Sequence, residues 1–295
     1  MGIGRQGSSR VRLGRSILVA AVLVATAGSS VAMAVRSTPK RTPTVAPGSF
    51  GKAVARCRGG RTAVSGGFAA PGFDVGNTGA TVGRLGSARV GKRRIETQGF
   101  NFGSEAGRLV SFAYCARNDH GLRVRSAATS VEPNAIGSAI ARCPRGTEAV
   151  GGGFDTKRLS GDQAPRVITF TSRRLGERSW KVVGVNINPG GGAGPGRLIA
   201  HAYCEAAPFR IVTRSKQATP PPGALKTFDV RCPPGTRALA GGFDGHVQLG
   251  VDQARGAAAV TSKRASSRHA WRTSALRVFD SNHGSVTAYA YCRQR

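Results

Sequence analysis

Three times in this chain a cysteine is followed by a tight turn and a small-residue run that closes on Gly-Gly-Phe. The copies are CRGGRTAVSGGFAA from Cys57, CPRGTEAVGGGFDT from Cys143 and CPPGTRALAGGFDG from Cys232. Some 60 residues after each comes a segment closing on Ala-Tyr-Cys: LVSFAYC to Cys115, LIAHAYC to Cys204 and VTAYAYC to Cys292. Successive first cysteines stand 86 and 89 residues apart. Three matching copies at a near-constant period are an internal repeat, and the repeat limits the fold more than any single motif does.

Each copy reads as all-β. Short runs of Val, Thr, Ala and Phe alternate with Gly, Pro, Asn and Asp. Ala139, Ala141 and Cys143 share one face of a strand, as do Phe228, Val230 and Cys232. Pro-x-Gly-Thr is turn chemistry, with Pro fixing φ and Gly taking a positive φ. The glycines before the Phe mark a bulge or a close backbone approach. No amphipathic helix of useful length is expected. The expected organisation is a leader at residues 1–34, a Pro/Thr-rich linker at 35–50 and repeats at 51–118, 119–206 and 207–295. The expected fold is three tandem disulfide-stapled β-sandwich-like repeats, with one pseudo-threefold β assembly as the alternative. Proline-rich connectors such as SKQATPPPG favour the string of modules.

A unit of about 85 residues has a marginal core by itself. Six cysteines permit 15 pairings. The repeat reduces them to one bridge per unit: Cys57–Cys115, Cys143–Cys204 and Cys232–Cys292. No CxxC or Cys–His cluster points to a metal instead, and neither a metal nor a cofactor is expected.

The N-terminus carries Arg5, Arg10, Arg12 and Arg15, then the apolar run Ile17 to Ala27, then Ala32-Met33-Ala34. This is the pattern of a secretory signal peptide cut after Ala34. The apolar run is short of the roughly 20 residues that span a bilayer, so no membrane association beyond the leader is expected. The formal charge of the 295-residue chain is +30; removing the four leader arginines leaves +26. An exported polycation attracts anionic cell-wall or extracellular polymers without selecting a particular nucleic acid.

The CPxGT…GGGF run, the Trp-led strand ending in Asn and the AYC strand together resemble a repeat of secreted actinobacterial proteins to which no activity is attached. The second copy fits best, with CPRGTEAVGGGFD, SWKVVGVNIN and AHAYC. The third keeps Trp271 but reads VFDSN at the strand end, and the first lacks the turn Pro and Thr and the Trp. The resemblance spans the mature chain. It implies a disulfide-tied β domain and an extracellular address, and no catalytic residue.

A phosphate-binding P-loop ends in Gly-Lys-Ser/Thr and opens a helix; here Gly-Gly-Phe ends the run between strands. The five histidines share no repeat position, and His201 stands where Phe112 and Tyr289 stand in the other copies. Asp155 with Asp162, and Asp244 with Asp252, are the paired acids on which a secreted hydrolase would rest. Asx-turns or salt bridges are the plainer use of such acids. The stronger candidates are the cations flanking each Trp-type strand. They are Arg84, Arg89, Lys92, Arg93 and Arg94; Arg173, Arg174, Arg178 and Lys181; and Lys263, Arg264, Arg268 and Arg272. Trp180 and Trp271 lie beside two of these runs. Cations beside a flat aromatic suit phosphate-bearing polymers and sugars, and three weak patches on one chain gain by multivalency. The expectation is a non-catalytic binding or structural protein of the cell envelope or exterior.

Overall fold

The computed structural model describes residues 44–74, 79–117, 121–157, 167–187, 194–206, 210–248, 256–278 and 284–294. The leader, residues 35–43 of the linker, Asp162 and Asp252 lie outside them. Every regular element among the described residues is a strand. Unit 1 supplies β1 (Thr44–Val45), β2 (Phe50–Arg56), β3 (Thr62–Ala69), β4 (Val82–Val90), β5 (Arg94–Asn101), β6 (Gly107–Arg108) and β7 (Val110–Ala116). Unit 2 supplies β8 (Arg123–Val131), β9 (Ile136–Arg142), β10 (Thr147–Lys157), β11 (Val167–Leu175), β12 (Ser179–Asn186) and β13 (Gly196–Ala206). Unit 3 repeats this with β14 (Ile211–Ala218), β15 (Lys226–Arg231), β16 (Thr236–Asp244), β17 (Ala257–Arg264), β18 (Ala270–Arg277) and β19 (Val286–Gln294).

The strands do not stay with their units. The first sheet runs β2-β5-β4-β10-β13-β8, the second β14-β19-β16-β11-β12-β9 and the third β15-β18-β17-β3-β7. Each therefore joins a three-stranded piece of one unit to the Gly-Gly-Phe and Ala-Tyr-Cys strands of another, and the third sheet closes the ring from unit 3 back to unit 1. Of the two arrangements open to the repeat, the chain takes the single pseudo-threefold assembly. The physical reason is the size of the unit: sharing sheets buries apolar surface that a lone small unit would leave wet.

The seams between units are built alike three times. Tyr114, Tyr203 and Tyr291 accept hydrogen bonds from the main-chain N–H of Arg264, Arg89 and Arg174, at 2.6, 2.7 and 2.7 Å. On the pseudo-threefold axis the Phe of each Gly-Gly-Phe meets its two counterparts. Phe68, Phe154 and Phe243 form a triangle with centroids 5.9 to 6.0 Å apart, every pair edge-to-face. That is the favoured aromatic geometry, and it explains why the closing Phe is present in all three copies.

The three bridges form as the repeat requires: Cys57–Cys115, Cys143–Cys204 and Cys232–Cys292. Each joins the end of an edge strand in one sheet to a strand in another, so together they link all three pairs of sheets. Such bridges are consistent with an oxidising or extracellular setting. The turn after each first Cys is also as read from the sequence. Gly60, Gly146 and Gly235 take φ of 71°, 74° and 75°, and the Thr147 and Thr236 hydroxyls donate to Pro144 and Pro233 carbonyls at 2.8 and 2.7 Å.

Candidate functional site

The hairpins β4–β5, β11–β12 and β17–β18 carry most of the predicted cations. Each tip is fastened to its own cysteine turn. Cys57, Cys143 and Cys232 donate their N–H to the carbonyls of Arg93, Arg178 and His269 at 2.8, 2.7 and 2.7 Å. Ala63, Ala149 and Ala238 donate to Lys92, Glu177 and Arg268 at 2.9, 2.9 and 3.1 Å. The tips are thus held in place as three equivalent corners of the assembly.

Several predicted cations are engaged in holding that arrangement. Arg174 is buried and pairs with Glu148 at 2.8 Å and with the Glu177 carbonyl at 2.8 Å. Arg173 pairs with Asp244 at 2.9 Å, and Arg272 grips both Asp229 oxygens at 2.8 and 2.9 Å. Arg93 and Arg178 donate to the Cys57 and Cys143 carbonyls. Lys263 lies 5.1 Å over the Phe112 ring and Arg264 4.5 Å over Tyr114. Arg89 is half-buried and donates to the Lys92 carbonyl at 3.3 Å. Lys181 is half-buried, while Lys92, Arg94, Arg178 and Arg268 are exposed.

Three predicted site residues belong to the core. Trp180 and Trp271 are 1% and 0% exposed, and their indole N–H groups donate to Ser172 and Ser262 at 3.0 and 2.8 Å. Their rings fill space left by Gly152 and Gly241, so no ligand can stack on them. Arg84 is 6% exposed and sits on the axis, its guanidinium 4.7, 5.9 and 4.5 Å from the Phe68, Phe154 and Phe243 centroids. One nitrogen donates to the Thr169 carbonyl at 3.1 Å, and Nε has no partner. Burial lowers its pKa to about 9.

Arg84 is thus a buried cation without a carboxylate. Desolvation costs several kcal/mol, against about 2 kcal/mol for each close, desolvated ring contact. Methionine at this position would bury apolar surface in the same space. Arg84→Met is expected to raise unfolding free energy by about 1–2 kcal/mol, read as a higher urea midpoint. Arg84→Ala, which leaves a cavity, should not raise it. A lower midpoint for the Met variant would mean that the ring contacts outweigh desolvation.

The sequence reading missed the cations beside the cysteines. Arg56, Arg142 and Arg231 each precede the first Cys of a unit and all are exposed, as are Arg58 and Arg145 in the turns. The signal was present as an Arg-Cys dipeptide in every copy. Arg56 lies directly across the strand pair from Arg94. Among the described residues Arg58, Lys92, Arg94, Arg142 and Arg145 make no ion pair.

Of the candidate acids, Asp244 is held by several donors. Asp244 accepts from the Thr171 hydroxyl at 2.9 Å, Arg173 at 2.9 Å and the His246 amide at 3.2 Å. Burial opposes its ionisation, but the Thr171 and His246 hydrogen bonds and the His246 and Arg173 charges outweigh it and keep the carboxyl below its usual range. Asp155 is half-buried on β10, and its sequence partner Asp162 is not among the described residues. His201 occupies the aromatic position expected of it and shares a 2.7 Å hydrogen bond with Ser126. No protein-family model matches the chain, and no curated protein matches it.

Proposed function

We propose that this protein is an exported, non-catalytic binding protein whose basic corners hold anionic cell-wall or extracellular polymers. The observation that carries the reading is the threefold recurrence of exposed cations beside the cysteine turns: Arg56, Arg58 and Arg94; Arg142 and Arg145; Arg231 and Arg268. A single exposed charge contributes about 0–1 kcal/mol. Three rigidly spaced groups acting on one polymer gain by effective concentration. The hairpin anchors described above fix that spacing.

The test removes one cation from each corner: Arg58→Glu, Arg145→Glu and Arg268→Asn, the last because Asn tolerates the φ of 58° found there. Retention of the mature protein on heparin and on isolated cell wall is compared across a salt gradient. The expected result is at least about a tenfold loss of affinity for the triple variant near 0.1 M salt. Unchanged retention at equal folded stability would overturn the reading.

A further inference from the structure

The three units differ where their first two strands join. The connector between β1 and β2 is APGS and that between β8 and β9 is EPNA, whereas β14 and β15 are joined by TPPPGAL. In units 1 and 2 a buried Asn closes the short connector. Asn101 and Asn186 donate to the Val45 and Val131 carbonyls, each at 2.9 Å. Unit 3 has Arg277 at the corresponding position, and it reaches the longer connector at the Pro220 carbonyl, 2.7 Å away. Three extra residues, in a run of prolines, let β14 and β15 stand apart.

Between them lies a cleft of about 600 Å³. Its walls are the edge strands of two different sheets, β14 of the second and β15 of the third. Arg214 and Lys216 line it from β14, and Arg231 and Arg272 from the opposite side. The only acid lining it is Asp229, already held by Arg272 at 2.8 Å. The Arg272 hydrogen bond, with the charges of Arg272, Arg231 and Lys216, draws the Asp229 carboxyl below its usual range despite desolvation. Three of the four cations thus act on the one carboxylate, and the cleft keeps an excess of three positive charges. In unit 2 the positions of Arg214, Arg231 and Arg272 are held by Arg125, Arg142 and Lys181, and those of Asp229 and Lys216 by Ile140 and Ala127. Unit 2 thus carries a comparable charge, and what sets unit 3 apart is the longer connector beside the cleft.

We infer that the β14–β15 cleft seats one linear, phosphate-bearing polymer, lying between the two strand edges. The Arg272 fork is already on Asp229, while Arg214 and Arg231 bring planar forks of the kind that pair phosphate oxygens two at a time. A cleft open between two edges admits a chain without ends. This assignment rests on the polyanion reading above and places the selective contact at unit 3, where the corner and the cleft share Arg231.

The probe is short-chain inorganic polyphosphate, titrated into the mature protein. Arg214→Glu with Lys216→Glu is compared with Arg123→Glu and Arg125→Glu, exposed cations on β8, the corresponding strand of unit 2, a pair that changes net charge equally. The cleft pair is expected to weaken binding about tenfold and to reduce the salt slope by about 1.4, on the scale of roughly 0.7 per contact. The β8 pair should weaken it less than about threefold. Ser215→Trp, which fills the cleft without altering charge, should weaken it as well. Equal losses for both pairs, or no effect of Ser215→Trp in a folded protein, would overturn the cleft while leaving the corners intact. Tighter binding of polygalacturonate than of polyphosphate would overturn the phosphate assignment. Failure of the wild type to be retained on any polyanion would overturn the underlying reading instead.

Discussion

Replacing Cys143 and Cys204 together by serine lowers the unfolding free energy by about 4 kcal/mol. The bridge closes a loop with a sequence separation of 61, and the chain-entropy relation gives that figure for loops of this length. Whole domains are stable by only about 5–15 kcal/mol, so one bridge is a large share. Its place in the fold adds to the argument. Cys143 follows β9, an edge strand of the second sheet, and Cys204 lies in the last part of β13 in the first. Without the bridge, that corner relies on the hairpin anchor from Cys143 N–H to the Arg178 carbonyl and on packing. Denaturant unfolding of the non-reduced variant against wild type measures the loss. A change under about 1 kcal/mol would show that seam packing holds the sheets without the bridge. Because the other two bridges sit at equivalent corners, Cys57–Cys115 and Cys232–Cys292 variants should lose similar amounts, while removing all three should abolish folding near body temperature.

The same bridges show which parts of the fold are legible in sequence. Their pairing follows from the period alone, and the strands follow from alternation: Trp180 and Val182 are inward and Lys181 outward, as the pattern of β12 requires. What alternation cannot carry is the identity of the neighbouring strand. A Gly-Gly-Phe strand looks the same whether its neighbour comes from its own unit or the next, and the hydrogen bond from Arg89 N–H to Tyr203 spans 114 positions. The connectors compound this, since a proline-rich link reads as a spacer between beads even when the sheets are shared. For the site, charge was legible and burial was not. Arg84 looked like one of a basic run, yet its counterparts on β11 and β17 are Thr169 and Ala259, small and uncharged as an axial position demands. The cleft escaped for another reason: it arises from the difference between two connector lengths and a substituted Asn, neither of which belongs to the repeated motif.

The three consecutive glycines of unit 2 should respond to alanine in opposite ways. Gly151→Ala is expected to change stability by no more than about 1 kcal/mol, whereas Gly152→Ala and Gly153→Ala should each cost about 3 kcal/mol or more. A Cβ on Gly151 would stand 3.2 Å from that of Ala240 and 3.5 Å from that of Ser65, the residues that hold the same place in the other units. The small crowding is offset by the entropy that glycine gives up on folding. A Cβ on Gly152 would overlap the Trp180 ring and approach the His201 carbonyl to 2.5 Å. Trp180 cannot retreat, because its indole N–H is bonded to Ser172 in the neighbouring strand. A Cβ on Gly153 would meet the Ser87 carbonyl at 2.5 Å and the Tyr203 hydroxyl at 2.8 Å, at the seam where unit 2 joins unit 1. None of the three has a positive φ, so the difference tests space and not backbone strain. Urea midpoints of the three alanine variants decide it. Equal losses at all three positions would mean that backbone geometry requires glycine across the whole run, and the account of the glycines as room for an indole and a seam would fall.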